Sequence, residues 1–156
     1  MSLQGKRILL GVTGGIAAYK ACELLRLLVK AGADVQVMMT KAAAQFVGPL
    51  TFETLSGKPV AEEMWDPKMR LPHISLRKDK DLIVIAPATA NIMAKVANGI
   101  ADDLVSSTLL ARDCPLMLCP AMNVQMWRNP ATARNVQTLK CDGVLSVSYT
   151  HLRAHE

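Results

Sequence analysis

Aromatic residues are scarce in this sequence: two Phe, two Trp and two Tyr make up 4% of its 156 residues. A core with so few rings must be built from aliphatic side chains, and hydrophobic residues reach 51%. The length suits one domain and is too short for two full ones. This composition favours an α/β layer protein.

The cysteine patterns of metal sites are also missing. The four cysteines form no Cys-x-x-Cys pair, and none has a histidine partner at zinc-ligand spacing, so we expect no metal ion. Lys, Asp or Arg interrupts every apolar stretch before it reaches membrane-spanning length, and the N-terminal residues do not form a signal peptide. We therefore expect a cytoplasmic protein with free thiols and no membrane association.

The sequence lacks the mixture of basic and aromatic residues that single-strand-binding surfaces need. Its formal net charge is +5 and its pI is about 9.2, yet the Lys and Arg residues are scattered and do not alternate with aromatics. A modest positive field also attracts phosphates and carboxylates. We expect a small anionic ligand and no nucleic-acid partner.

Four apolar runs resemble strands buried in a parallel sheet, at 8–12, 35–39, 81–87 and 115–120. Helices are predicted at 16–30, 41–46, 50–55, 90–96, 101–111 and 130–140, with Gly32 and Gly99 as stops. Residues 57–72 are predicted to be a long irregular connection in which Met64 and Trp65 are packing points. The alternation predicts a Rossmann-like (flavodoxin-like) α/β fold: a three-layer, doubly wound parallel sheet with helices on both faces.

Three segments, 13–15, 87–91 and 120–123, each follow the carboxyl end of a predicted strand, so they should meet at one crevice. Gly14 and Gly15 precede a helix whose N-terminus could hold a phosphate. Their spacing departs from Gly-x-Gly-x-x-Gly, and a tight turn alone would also explain them. Thr89 and Asn91 could either cap the next helix or bind a ligand.

Two further residues have the chemistry of a functional site. His73 follows Pro72, which should hold its imidazole in place; imidazoles titrate near neutrality and suit proton transfer, but a structural role is also open. Asn123 is flanked by Met122 and by Met126 and Trp127. An amide in such an apolar setting can orient a carboxylate or carbonyl, although a turn residue beside core side chains is the alternative.

Four motifs occur in order along the chain: Gly-Val-Thr-Gly-Gly-Ile-Ala-Ala-Tyr-Lys at 11–20, His-Ile-Ser-Leu at 73–76, Ala-Pro-Ala-Thr-Ala-Asn at 86–91 and Pro-Ala-Met-Asn-Val-Gln-Met-Trp at 120–127. Over about residues 3–145 the sequence resembles the homo-oligomeric flavin-containing cysteine decarboxylases. The resemblance is strongest to the phosphopantothenoylcysteine decarboxylases of coenzyme A synthesis. In bacteria these form one half of a bifunctional protein whose second half is a ligase.

The resemblance implies FMN as cofactor, held between neighbouring subunits of a homotrimer that can assemble further into a dodecamer. It implies that His73 is the catalytic base and that Asn123, also catalytic, binds the substrate carboxylate. Met126 would line the same pocket, and Arg77 would contact an anionic group of the substrate. The residues implied to bind FMN are Gly14, Gly15, Ile16, Thr40, Thr89, Ala90, Asn91 and Ala121.

The implied reaction converts 4'-phosphopantothenoylcysteine to 4'-phosphopantetheine. FMN takes a hydride equivalent from the cysteinyl Cβ–SH unit, and the resulting thioaldehyde is the electron sink that lets carbon dioxide leave, with His73 handling the proton. The alternatives are a peptidyl-cysteine oxidative decarboxylase and a catalytically silent FMN-binding regulatory subunit. Prenyl-FMN synthases share the fold class but not the His and Pro-Ala-Met-Asn motifs.

The last residues depart from the pattern of these decarboxylases. Residues 146–156 match nothing in the flexible lid that carries an active-site cysteine in that family, and Cys141 precedes the place of the lid. We therefore predict an FMN-binding decarboxylase domain at 1–145 and a non-family tail at 146–156, with a ligase domain either fused or lost. Such a chain should bind FMN and decarboxylate, with an impaired reductive half of the reaction.

Overall fold

The computed structural model describes residues 2–65 and 71–151. Its strands are β1 Arg7–Val12, β2 Asp34–Met39, β3 Leu82–Ala88, β4 Leu116–Met122, β5 Leu145–Ser146 and β6 Thr150–His151. Its helices are α1 Ala18–Lys30, α2 Pro49–Ser56, α3 Pro72–Arg77, α4 Ala90–Asn98, α5 Leu104–Leu110, α6 Val124–Arg128 and α7 Pro130–Cys141. Each described helix is too short or too polar to cross a membrane. Residues 66–70 of the predicted connection and 152–156 of the predicted tail lie outside the described residues.

The strands form a parallel sheet in the order β2-β1-β3-β4-β5, and β6 pairs with the end of β4. From β1 the chain moves to one side to form β2, then crosses back to place β3 on the other side of β1. The connections therefore diverge between β1 and β3, and such a switch point is where open α/β sheets bind ligands. The predicted Rossmann-like, flavodoxin-like sheet is confirmed.

Aliphatic side chains build a core layer on each face of the sheet. On one face, Leu10 and Val37 belong to a buried cluster with Leu25 of α1 and Phe52 of α2. The other face packs against α3, α4, α5 and α7, in a cluster that includes Leu9, Ile83, Ile85, Leu76, Ile92, Leu109 and Leu139. Burial on both faces explains why the strands are continuous apolar runs, and the three predicted layers are confirmed.

Local signals set most helix boundaries. Gly32 (φ +97°) and Gly99 (φ +69°) adopt left-handed backbone after α1 and α4, which confirms both predicted stops. Helix α5 begins later than the predicted residue 101, because Asp103 accepts a hydrogen bond from the Ser106 N–H at 2.8 Å and so caps it. The predicted helix at 41–46 is only a 3-10 turn, Ala43–Gln45.

Two sequence-based interpretations need correction. Trp65 is not a packing point, since it is 83% exposed, whereas Met64 does pack against the core. The fourth strand does not end at the predicted residue 120 either: β4 continues to Met122 and leads directly to Asn123, which caps α6. Helix α6 has only five residues, too few for a helical repeat to stand out in the sequence.

Residues 146–151 continue to pack on the sheet. The Val147 N–H donates to the Leu118 carbonyl at 3.0 Å, and β6 pairs with the end of β4. Tyr149 stacks on Trp127 with ring centroids 4.3 Å apart, and its hydroxyl donates to the Met122 carbonyl at 2.7 Å. The boundary at residue 145 stays a prediction, because it concerns family membership rather than packing.

Candidate functional site

A cavity of about 890 Å³ opens at the carboxyl edge of the sheet, where the loops after β1, β2, β3 and β4 meet. This volume is typical of small-molecule sites. The predicted site residues that line it are Gly14, Gly15, Thr40, Thr89, Ala90, Asn91, Ala121, Asn123 and Met126. The three strand-end segments therefore do meet at one crevice, on the switch point of the sheet.

Thr13 connects the ends of β1 and β3 at this cavity. Its buried hydroxyl donates to the Pro87 carbonyl at 2.5 Å and accepts from the Thr89 N–H at 3.2 Å. The Thr89 hydroxyl in turn accepts from the Ile92 N–H at 3.2 Å and caps α4. A buried hydroxyl with partners on both sides fixes the two turns relative to each other. Thr89 therefore caps its helix and lines the cavity at the same time.

Close backbone approach explains the glycine at position 14. A Cβ atom on Gly14 would lie 2.4 Å from the Cβ of Ala42 and 2.9 Å from its carbonyl carbon, so any side chain would displace the loop after β2. A Cβ atom on Gly15 would have its nearest neighbour, Thr89 Cγ2, at 3.8 Å. Gly14 is thus required by contact within the fold, whereas a Cβ atom on Gly15 would make only ordinary van der Waals contacts beside the cavity.

The start of α1 has the features of an anion site. Its N-cap residue, Ala17, makes no side-chain cap, and the first turn contains no acidic residue. Among the described residues, no hydrogen bond uses the backbone N–H groups of Gly14, Gly15 or Ile16. Free N–H groups directly before the positive end of a 13-residue helix are donors that a phosphate can bind.

Polar side chains at the cavity keep donors available after their local bonds are made. Thr40 accepts from the Ala43 N–H at 3.1 Å through its Oγ1, which leaves the hydroxyl hydrogen for a ligand. Asn123 accepts from the Met126 N–H at 2.9 Å through its Oδ1, so its NH₂ group is the half of the amide that can reach a ligand. Asn91 is exposed in the first turn of α4. These donors suit an anionic or carbonyl-bearing ligand.

An ion-pair network forms another part of the lining. Lys95 Nζ lies 2.8 Å from Oδ1 of Asp102 and 4.0 Å from Oδ2 of Asp103. The backbone N–H groups of both aspartates donate to Ser106 Oγ, at 3.0 and 3.1 Å. The hydrogen bond from Lys95 lowers the pKa of the Asp102 carboxyl. Lys95 therefore forms ion pairs with two carboxylates, and these ion pairs connect α4 to the start of α5.

Three predicted site residues lie outside the lining of this cavity. Ile16 is exposed beside α1. His73 is half-buried in the first turn of α3, and its Nδ1 is buried without a hydrogen-bond partner among the described residues. Arg77 donates to Asp113 at 2.6 Å. Within the described part of the chain, His73 and Arg77 are therefore not brought together with Asn123.

Sequence reasoning missed several residues that line the cavity. Thr13 lay in a predicted turn, but nothing in the sequence pattern distinguished its hydroxyl from that of an ordinary turn residue. Lys95 follows Asn91 by four residues on α4, and that spacing places the two on one helix face, so it could have been found from the helix prediction. Trp65 lies in a connection without periodicity, where no sequence signal indicates which side chains face a cavity.

Comparison with known proteins identifies the family. The family model described as Flavoprotein matches residues 1–153. The chain belongs to the Flavoprotein family. The coenzyme A biosynthesis bifunctional protein CoaBC of Vibrio cholerae is 50% identical to this flavoprotein over 147 residues, which are 93% of the chain and 37% of CoaBC. The flavoprotein thus spans little more than a third of the length of that relative.

Solved structures share the fold of the flavoprotein over most of its length. The FMN-dependent cysteine decarboxylase SpaF has a TM-score of 0.86 at 36% identity, and the match covers 94% of this chain and 85% of SpaF. A Cys-to-Ser variant of PPC decarboxylase, complexed with pantothenoylaminoethenethiol, has a TM-score of 0.79 at 32% identity. That match covers 91% of this chain and 81% of the decarboxylase.

Proposed function

We propose that the chain is an FMN-dependent decarboxylase that releases carbon dioxide from the cysteinyl carboxylate of 4'-phosphopantothenoylcysteine. The observation that carries the proposal is the meeting of the turns at 13–15 and 89–91 with Asn123 at one cavity, on the switch point between β1 and β3. The identity of 50% to CoaBC and the similarity to SpaF and to PPC decarboxylase support the same chemistry.

The residues at the cavity fit FMN. The uncapped start of α1 would hold the phosphate through the N–H groups of Gly14, Gly15 and Ile16, with no carboxylate in the first turn to repel it. Thr40 and Asn91 offer a hydroxyl and an amide to the polar groups of the cofactor. When bound, the flavin supplies the two-electron redox chemistry that makes the cysteinyl unit an electron sink.

Asn123 would orient the carboxylate that is lost. Its amide is held in one orientation because Oδ1 bonds to the Met126 N–H, and its NH₂ group remains as a donor. A neutral donor positions a carboxylate without the strong ground-state stabilisation that an ammonium or guanidinium would give. Ala121 and Met126 line the cavity beside it and favour the uncharged product over the charged carboxylate.

His73 would act at the cavity of a neighbouring copy in a homo-oligomer, either a homotrimer or a dodecamer assembled from trimers. In its own chain His73 lies outside the cavity lining, and its buried Nδ1 has no hydrogen-bond partner among the described residues. A buried nitrogen without a hydrogen-bond partner destabilises the folded protein unless another molecule forms a hydrogen bond with it. We propose that this assembly is cytoplasmic.

A cysteine decarboxylase acting on another cysteine-terminated compound, such as a peptide, is the second candidate. The alignment with SpaF over 94% of the chain favours it. Identity to CoaBC is higher, 50% against 36%, and for that reason we prefer the coenzyme A substrate.

The decisive experiment incubates the FMN-loaded chain with 4'-phosphopantothenoylcysteine or with a peptide ending in cysteine. We expect release of carbon dioxide with kcat/KM about tenfold or more higher for the phosphopantothenoyl compound. Faster release from the peptide would reassign the substrate, and no release from either by the FMN-loaded chain would leave a silent regulatory subunit. The mass of the decarboxylated product also shows whether it is the reduced thiol or still contains the carbon–carbon double bond of an enethiol. This tests the predicted impairment of the reductive half of the reaction.

A further inference from the structure

Trp65 is the most exposed large hydrophobic side chain among the described residues, at 83%. The chain's other tryptophan, Trp127, is half-buried and stacked on Tyr149. Single exposed apolar residues are ordinary on a convex surface, but Trp65 lines the cavity. An aromatic ring in that position is a contact surface for an apolar part of a ligand.

The sheet places Trp65 on the β2 side of the cavity. Ala61 pairs in parallel with β2: its N–H donates to the Val37 carbonyl at 3.0 Å, and its carbonyl accepts from the Met39 N–H at 2.9 Å. From Ala61 the chain therefore runs in the direction of β2, toward the carboxyl edge of the sheet. Met64 packs against the core and anchors this segment directly before Trp65.

The lining has a polar middle, and apolar side chains are present on both of its flanks. The polar middle consists of the turns after β1 and β3, beside the free N–H groups at the start of α1. On the β2 side Met64 and Trp65 flank it together with the charged residues Lys41, Glu62 and Glu63, and on the β4 side Met122 and Met126 flank it. These sides are three strand spacings apart, about 14 Å. Among the described residues, Trp65 is the only aromatic one in the lining.

A ligand that matches this lining has an anionic end and a flat apolar end. We propose that Trp65 is a binding residue for the flavin and stacks on its isoalloxazine ring. Because the ligand is taken to be FMN, this role rests on the function proposed above. Stacking of two flat π systems contributes about tenfold in affinity, and the indole shields one side of the ring from water.

The test uses the full chain reconstituted with FMN, and it compares Trp65→Leu, Trp65→Phe and the matched control Trp127→Phe. Flavin fluorescence relative to free FMN reports stacking, because an indole in contact with a flavin quenches its emission by electron transfer. Titration gives the Kd for FMN. We expect quenched emission and tight binding in the parent chain and in Trp127→Phe. Trp65→Leu should recover the emission and weaken binding about tenfold, with Trp65→Phe intermediate.

The outcomes separate this role from the proposed function. Failure of the parent chain to bind FMN would remove the proposed cofactor and, with it, this role for Trp65. Normal binding with quenched emission in Trp65→Leu would overturn the role of Trp65 alone. A change in sedimentation without any change in emission or Kd would also overturn it, because Trp65 would then contact another copy of the chain. The side chain is 83% exposed, so the variants should fold, and circular dichroism checks this.

Discussion

At the scale of single residues, the two halves of the Asn123 amide have different partners. Oδ1 caps α6 through the Met126 N–H, and the NH₂ group remains as a donor at the cavity. Asn129 caps α7 in the same way, through the Ala131 N–H at 2.9 Å, but it does not line the cavity. The chain therefore contains its own control for the role of the Asn123 NH₂ group.

Asn123→Asp should preserve the cap and replace the donor by a carboxylate that repels the substrate. We expect kcat/KM for 4'-phosphopantothenoylcysteine to fall about 100-fold, the effect of losing a hydrogen bond to a charged group. Asn129→Asp should stay within about twofold of the parent chain, because a negative cap is favourable at a helix N-terminus. Steady-state kinetics measure kcat/KM for the two variants, and thermal melts check that both helix caps are preserved. Equal kinetics in Asn123→Asp and the parent chain would show that the NH₂ group has no part in binding.

Gly14→Ala introduces a Cβ atom 2.4 Å from the Cβ of Ala42, so the turn at the start of α1 must move. We expect FMN to bind at least about tenfold more weakly, because the backbone donors for the phosphate shift with the turn. Gly48→Ala is the control, since a Cβ there meets no atom within 4 Å and its φ of −69° suits alanine. Titration with FMN measures the Kd of both variants and of the parent chain. Unchanged affinity in Gly14→Ala would mean that the phosphate binds elsewhere.

At the scale of secondary-structure elements, ion pairs join the start of β2 to its neighbours. Asp34 pairs with Lys58, which follows α2, and with Arg7 of β1 at 3.9 Å. The hydrogen bond from Lys58 lowers the pKa of the Asp34 carboxyl from its ordinary value of 3.8. A group with a depressed folded-state pKa contributes stability above its unfolded pKa, and this contribution is lost as pH falls through the folded pKa.

Asp34→Asn should therefore lower stability slightly at neutral pH and make the loss of stability below about pH 4 less steep. The effect should stay under about 1 kcal/mol, because a side chain that is 44% exposed is screened by solvent. Urea unfolding from neutral to acidic pH measures it, and Asp142→Asn at the exposed end of α7 provides the control. A parent-like pH profile in Asp34→Asn would show that the ion pairs contribute nothing to acid sensitivity.

Element length decided how much of the fold could be predicted from the sequence. Strands β1 to β4 and the longer helices were predictable, because burial on both faces and helical repeats leave long patterns. Helix α6 and the two-residue strands β5 and β6 are too short to leave such a pattern. The strand-end rule predicted the meeting of the three turns, and helical spacing from Asn91 could have added Lys95. Trp65, by contrast, joins the cavity through tertiary contacts that no local pattern encodes.

At the scale of the whole molecule, the separation of His73 from its own cavity is the main consequence of the fold. If a neighbouring copy supplies His73, then His73→Asn and Asn123→Asp should each have strongly reduced activity as pure oligomers. Mixed oligomers of the two contain some sites with both native residues. Random mixing should restore about a quarter of the parent activity.

The mixture is prepared by unfolding and refolding the two variants together, and the separately refolded variants are the control. Activity in the mixture alone supports a site shared between copies. An inactive mixture, with mixed oligomers demonstrated by mass spectrometry, would place His73 either within its own chain's site or outside the reaction.

We expect the switch point between β1 and β3 to bind FMN with its phosphate at the start of α1. A crystal structure of the full chain with FMN tests it most directly. The predicted result is phosphate density within hydrogen-bonding distance of the N–H groups of Gly14, Gly15 and Ile16, with the ring in the cavity that contains Asn123. Flavin density at any other place, or none at saturating FMN, would contradict it.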